Sequence, residues 1–189
     1  DFLQGTGDYA VHLALVRSHR PVLGVVLIPE AEELWLGISD LGAWCEDRRG
    51  TRRPVCFSSR KGIRELRLVA SRNHRDERLE KLLAQLSLGD TKAIGSVGCK
   101  IASILRGETD LYVSLSGNSA PKDWDMAAPE AVLLAAGGRF THADGRSLAY
   151  NTGDIKQSGC LIASHGFCHD ELCDKALEAM KLIEPGFRP

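Results

Sequence analysis

The chain of 189 residues carries 24 Lys plus Arg against 25 Asp plus Glu, a formal charge of -1 at pH 7, and its hydrophobic content is 43%. It lacks the basic excess with which nucleic-acid binders neutralise phosphates, and no apolar run approaches the roughly 20 residues of a membrane span. Neither a nucleic acid nor a membrane is therefore expected as a partner.

A chain of this size and apolar content buries a real core, as one domain or one and a half. Its start has neither the basic nor the apolar region of a secretory signal, which gives a cytoplasmic reading. The cysteines Cys45, Cys56, Cys99, Cys160, Cys168 and Cys173 lie far apart in apolar or helical context, as free thiols in a reducing compartment do. The close set Cys168-His169 with Cys173 lacks zinc spacing and a second half-site.

From Tyr9 to about Phe57 short strand-like runs follow one another: YAVHLALV, PVLGVVLIPE, ELWLGI and GAWCED, separated by the turn-prone RSHR and SDLG. They predict an antiparallel meander. His12 and His19 read as strand or surface residues, Trp35 and Trp44 as sheet packing, and Arg48, Arg49, Arg52 and Arg53 as a solvated loop. After the polar segment from Arg49 to Lys61 the register changes, and strands alternate with helices. LRLVAS precedes a helix carrying Leu79, Leu82, Leu83 and Leu86; TKAIGS precedes one carrying Ile101, Ile104 and Leu105. TDLYVSL precedes a helix over MAAPEAVLLAA that Gly137-Gly138 ends. The strand GRFTH, the turn ADG and the strand GCLIAS follow, then a last helix from Cys168 to Ile183 with Leu172, Ala176 and Leu177 inward. The fold class is α+β / α/β: an antiparallel meander over residues 1–60, then an α/β domain over 61–189 with a mostly parallel sheet.

Open α/β sheets bind ligands beyond the carboxyl ends of their strands, where helix N-termini offer free amides and a positive dipole end. Three junctions have that character. LRLVAS runs into Ser71-Arg72-Asn73-His74, with Asn73 at the cap position. TKAIGS runs into VGCKIASIL, where Gly95 admits a close backbone, Ser96 caps the helix and Lys100 lies one turn in. Trp124-Asp125 precedes MAAPEAVLLAAGG, with Asp125 at the cap and Ala127 and Ala128 behind it. Ser, Asn and Asp cap helices without any ligand, but three such junctions in one unit describe an anion site with a place for a metal. One carboxylate cannot build a two-metal centre, and no other convergent acidic cluster is visible.

Trp124-Asp125-Met126-Ala127-Ala128, with Glu130-Ala131-Val132 and Ala136-Gly137-Gly138, resembles the W-D-x-A-A…A-G-G signature of the lithium-sensitive, magnesium-dependent phosphatase superfamily that includes inositol monophosphatase. Within it, SRNHR, GSVGCK, WDMAAPEAVLLAAGG and SGCLIAS are similar to 3′(2′),5′-bisphosphate nucleotidases of the bacterial CysQ type. The resemblance runs from DFLQGTGDYAVHLALV to about residue 165. It implies the layered sandwich of that family, with the active site between two domains. In the family a D-P-[LI]-D-G-T loop precedes an acidic-aromatic pair and a strand, and residues 1–16 match the part after the loop. DFLQGT is then a chance echo, with Gln4 where a metal-binding Asp is required, and Asp1 is not a metal ligand. The chain resembles the later part of such an enzyme, with the loop's ligands preceding residue 1.

The resemblance implies Asp125 as metal ligand and catalytic residue, Ser71, Asn73, His74, Gly95, Ser96 and Lys100 as phosphate and nucleotide contacts, Mg2+ as cofactor, and in-line attack of an activated water on the 3′-phosphate of 3′-phosphoadenosine 5′-phosphate to give AMP. Ser114 stands where inositol monophosphatases place a Glu that meets sugar hydroxyls, which counts against inositol phosphate. Many CysQ-type enzymes carry an Arg near there, and Lys122 is the candidate for that missing charge. An inositol or sugar phosphatase of the same superfamily is the nearest alternative. If the chain truly starts at Asp1, a nucleotide-binding module without turnover is the other. Exposed strand edges favour self-association, as a homodimer, or aggregation.

Overall fold

The computed structural model describes residues 5–72, 76–116 and 120–187. The meander forms as its alternation predicts: β1 (Val11–Arg17), β2 (Arg20–Ile28), β3 (Glu33–Ile38) and β4 (Gly42–Asp47) pair antiparallel in chain order. A fifth strand, β5 (Arg52–Pro54), lies on its edge against Trp44–Glu46. The arginines read as a solvated loop are solvated, but the backbone of two of them is strand. Arg52 meets Glu46 at 2.8 Å and lies over the Trp44 ring, while Arg53 faces Glu33 at 3.4 Å. His19 sits with Ser18 in the two-residue turn between β1 and β2, both at positive φ, the twist a tight hairpin demands. Its ring Nδ1 lies 2.8 Å from the Tyr150 carbonyl.

The second sheet has the order β7-β6-β8-β10-β9. It is built from β6 (Leu68–Ser71), β7 (Thr91–Ile94), β8 (Leu111–Ser116), β9 (Arg139–His142) and β10 (Gly159–Ser164). The ladders β6–β7 and β6–β8 are parallel, and β10 runs antiparallel to both its neighbours. All strands but β10 thus point the same way. Between them lie α1 (Glu77–Leu86), α2 (Val97–Leu105), α3 (Asp123–Ala135) and, last, α4 (His169–Ile183).

The apolar faces sort these elements into four layers. Val26, Trp35, Ile101, Ile104, Met126, Val132, Tyr112 and Leu161 form one core, which places α2 and α3 between the two sheets. Leu79, Leu82, Leu172, Met180, Val113 and Ile162 form the other, which places α1 and α4 on the far face of the second sheet. Among the described residues no helix is long and apolar enough to cross a membrane, and all the cysteines are unpaired.

Two glycines set how closely α3 seats on the meander. A Cβ on Gly24 would stand 2.4 Å from the Ala128 carbonyl oxygen, and one on Gly37 would stand 2.4 Å from the Val132 Cα. Backbone cannot yield as a side-chain end can. Gly37→Ala is therefore expected to cost about 3 kcal/mol by overpacking, read as a lower urea midpoint at unchanged slope; an unchanged midpoint would show that the helix does not depend on this contact.

Candidate functional site

Because β6, β7 and β8 are parallel, their carboxyl ends lie along one edge, and the three junctions foreseen from the sequence meet there. At the first, Ser71 ends β6 half-buried. Asn73 and His74 lie outside the described residues. The cap of α1 is Asp76, three residues beyond Asn73, and its Oδ1 accepts the Leu79 amide at 2.9 Å.

At the second junction Ser96 occupies the cap position of α2, but its hydroxyl makes no capping bond. The amides of Val97, Gly98 and Cys99 therefore keep no partner among the described residues, an anion-receptive helix start. Gly95, just before, is held on both sides of its peptide: its N–H donates to Asp8 Oδ2 at 3.0 Å, and its carbonyl accepts from Lys100 Nζ. Lys100 is 3% exposed, with Nζ 5.2 Å from the centre of the Tyr112 ring. Burial pushes its ammonium down to about 8, against the opposing pull of Cys99 and Asp8.

This gives a pH dependence with opposite signs for binding and folding. The protonated amine carries the charge an anion needs, so affinity for inorganic phosphate is expected to fall as pH rises through about 8, and Lys100→Met should remove that dependence. A depressed lysine value is a cost of charging the folded state. Stability should therefore climb between about 8 and the ordinary 10.5, where the unfolded chain still holds the proton. Phosphate titration and thermal unfolding across this range check both; a flat binding profile would take Lys100 out of the anion site.

At the third junction the structure corrects a position. α3 begins at Asp123 with Lys122 as its cap residue, so Asp125 lies at the third helical position and not at the cap. The reason is distant. Asp123 is buried and accepts from Gln157 Nε2 at 2.7 Å and the Asn151 amide at 2.9 Å, which fixes the helix start one turn earlier. Asp125 Oδ2 accepts the Lys122 amide at 2.8 Å. Its Oδ1 takes no bond among the described residues. Its carbonyl also lacks a helical donor, since Pro129 four residues on has no N–H. Lys122 Nζ, the candidate for extra positive charge, is tied to the Ala120 carbonyl at 3.0 Å.

The second and third junctions converge on Tyr112. Burial raises its hydroxyl's pKa, a bond from Ser114 opposes that, and the Asp125 charge adds to the rise. The structure also brings in Asp8, which the sequence analysis left unassigned, and His12, which is a strand residue as read. Asp8 links the first two junctions, since Arg72 Nη2 meets its Oδ2 at 2.5 Å. His12, on β1, turns inward with Nε2 buried and unpartnered over Gly98, and burial lowers its pKa against the pull of the Trp124 backbone and of Asp125. Neither role has a local signal in the sequence, since the groups these side chains meet lie far along the chain.

Among the described residues no three His, Cys, Asp or Glu side chains stand close enough to hold a metal ion. Asp125 offers an open oxygen, but it does not make an ion site by itself. Asp1 and Gln4 lie outside the described residues.

Comparison with known proteins adds the following. The sequence model described as "Inositol monophosphatase family" matches residues 1–181. The chain is 31% identical over 153 residues to the 3′(2′),5′-bisphosphate nucleotidase CysQ of Salmonella typhimurium, covering 79% of this chain and 57% of the relative. It is 35% identical over 86 residues to the 3′-phosphoadenosine 5′-phosphate phosphatase of Mycobacterium leprae, covering 46% and 30%. The chain spans little more than half the length of the curated CysQ relatives it matches, 54% for that of Buchnera aphidicola. Among solved structures, an inositol monophosphatase from Thermotoga maritima superposes with a TM-score of 0.75 at 23% identity, over 96% of this chain and 66% of that one. CysQ from Bacteroides thetaiotaomicron superposes with a TM-score of 0.73 at 25% identity, over 87% and 65%.

Proposed function

The chain belongs to the inositol monophosphatase family, and from that premise we propose that it serves a Mg2+-dependent hydrolase that removes the 3′-phosphate of 3′-phosphoadenosine 5′-phosphate to give AMP, a step of sulfur assimilation. The observation that carries this reading is the convergence at one sheet edge of three free amides at the start of α2, the buried Lys100 ammonium and the open oxygen of Asp125. Amides and ammonium receive a phosphate. The carboxylate suits a hard cation beside it.

Mg2+, when bound, supplies Lewis acidity at the phosphate and lowers the pKa of a water. Asp125 is one of its ligands in this reading. The chain's own work is to bind the phosphate at the second junction, to neutralise it with Lys100, and to seat the nucleotide at the first junction through Ser71, the contact role that the family resemblance also gives Asn73 and His74. Buried Ser114 offers no carboxylate to sugar hydroxyls, which supports a nucleotide over an inositol phosphate.

Phosphate release from adenosine 3′,5′-bisphosphate and from inositol 1-phosphate, measured on the intact gene product with and without Mg2+, tests the proposal. A clear preference for the bisphosphate, lost on chelation, is expected; a preference for inositol 1-phosphate would overturn it.

A further inference from the structure

We infer that Asp8 is a positioning residue of the phosphate site, a brace that fixes the second junction against the first. Its Oδ2 receives the Gly95 amide at 3.0 Å and Arg72 Nη2 at 2.5 Å. Its main-chain oxygen receives the Ser96 amide at 3.2 Å. Arg72 Nη2 in turn lies 3.4 Å from the Ala93 carbonyl. One residue, three positions before the first strand of the meander, therefore binds the end of β6, the end of β7 and the entry to α2 together.

The arrangement matters because of what Gly95 and Ser96 do. Gly95 carries no side chain that could hold its peptide plane, and the Ser96 hydroxyl does not cap the helix. Without the Asp8 carboxylate the Gly95 peptide is restrained on its carbonyl side only, by Lys100 Nζ. The free amides of Val97, Gly98 and Cys99 follow directly, and their aim at an anion is inherited from the two residues before them. The Asp8 charge also favours the charged form of Lys100. As a stability device the pair is weak, since the Arg72 and Asp8 side chains are 41% and 21% exposed and ion pairs at such sites add little.

The inference rests on the proposed function only for the identity of the phosphate ester. The test uses Asp8→Ala, Asp8→Asn and Arg72→Gln in the intact gene product. Steady-state phosphate release from adenosine 3′,5′-bisphosphate is combined with amide hydrogen exchange at Gly95 and Ser96. For Asp8→Ala, KM is expected to rise about tenfold with kcat within about twofold, the mark of lost binding geometry. Exchange at Gly95 and Ser96 should quicken while the core amides stay protected. Asp8→Asn keeps an oxygen for the Gly95 amide and should recover most of the KM. The Asp8→Ala, Arg72→Gln double variant should be no worse than the poorer single one, as expected of residues acting through one contact.

Unchanged KM and exchange in Asp8→Ala would overturn the brace, as would a KM rise accompanied by faster exchange throughout the core. If the wild type releases no phosphate from the bisphosphate, the nucleotide reading falls. Faster local exchange in Asp8→Ala, with the same KM loss on whichever phosphate monoester the wild type does hydrolyse, would then still uphold the brace.

Discussion

Asp125→Asn in the intact gene product is expected to lower kcat at saturating Mg2+ by about 100-fold or more, the scale of losing a charged group beside a metal-assisted reaction. The two oxygens of Asp125 have different duties. Oδ2 accepts the Lys122 amide and steadies the first turn of α3, whereas Oδ1 is open. An asparagine keeps one oxygen for Lys122, so the fold should stand, with a loss of about 1 kcal/mol at most from the weakened cap. The charge is what disappears. Thermal unfolding of the variant beside its rate separates the two effects, and a wild-type rate at saturating Mg2+ would remove Asp125 from the chemistry.

Glu130→Ala is expected to be the most damaging single change to the fold outside the glycine contacts. Glu130 is fully buried on α3 and accepts from Arg20 at 2.5 Å and from the Tyr150 hydroxyl. Arg20 also donates to the Leu148 carbonyl, so one carboxylate ties the hairpin of the meander, the central helix and the segment before β10. Removing it strands a buried hydroxyl and a guanidinium. Breaking a fully buried pair costs 3–5 kcal/mol, and because Arg20 is 35% exposed and can rehydrate, about 3 kcal/mol is expected.

Burial raises the pKa of Glu130, against the pull of Tyr150 and Arg20. A raised folded value means that ionisation is a burden on the fold, with the favourable contribution present at low pH and lost as pH rises through the folded value. Glu130→Gln, neutral, keeps one oxygen to accept from Arg20 and turns an amide N–H toward the Tyr150 oxygen, so it should be milder than Glu130→Ala in chemical denaturation. Equal losses would show that the charge itself is required.

The elements were legible in the sequence where local pattern decides them. The alternation of Glu33 to Ile38 and the spacing of Leu79, Leu82 and Leu86 are local facts, and the structure repeats them. The edge of the sheet where Ser96, Lys100 and Asp125 gather was legible too, since a strand followed by a glycine, a small cap and a helix reads the same in any α/β unit.

What escaped depends on residues far apart in the chain. Asp8 bonds to Gly95 across 87 positions and to Arg72 across 64. Nothing near Gly7-Asp8-Tyr9 announces those partners. The cap of α3 was misplaced because the residue that takes the position, Lys122, has no capping side chain to announce it, and the bonds that start the helix at Asp123 come from Gln157 and Asn151, folded back from beyond β9. β5 was missed because three exposed residues with two arginines carry no apolar alternation, and its pairing is recorded on β4 instead. The reversal of β10 rests on the path between His142 and Gly159, which has no periodicity to read.

The seating of α3 against Gly24 and Gly37 has one more consequence. Val132 lies about 10 Å along the helix from Asp125 at the usual rise per residue. A helix is stiff, so it acts as a lever with its fulcrum at the glycine contact and the carboxylate at its tip. A tilt of roughly 5° there swings the tip by ~1 Å, and displacements of that size can cost about 100-fold in rate. A methyl group added on the meander, far from any phosphate, would then be felt first as lost turnover and only afterwards as lost stability.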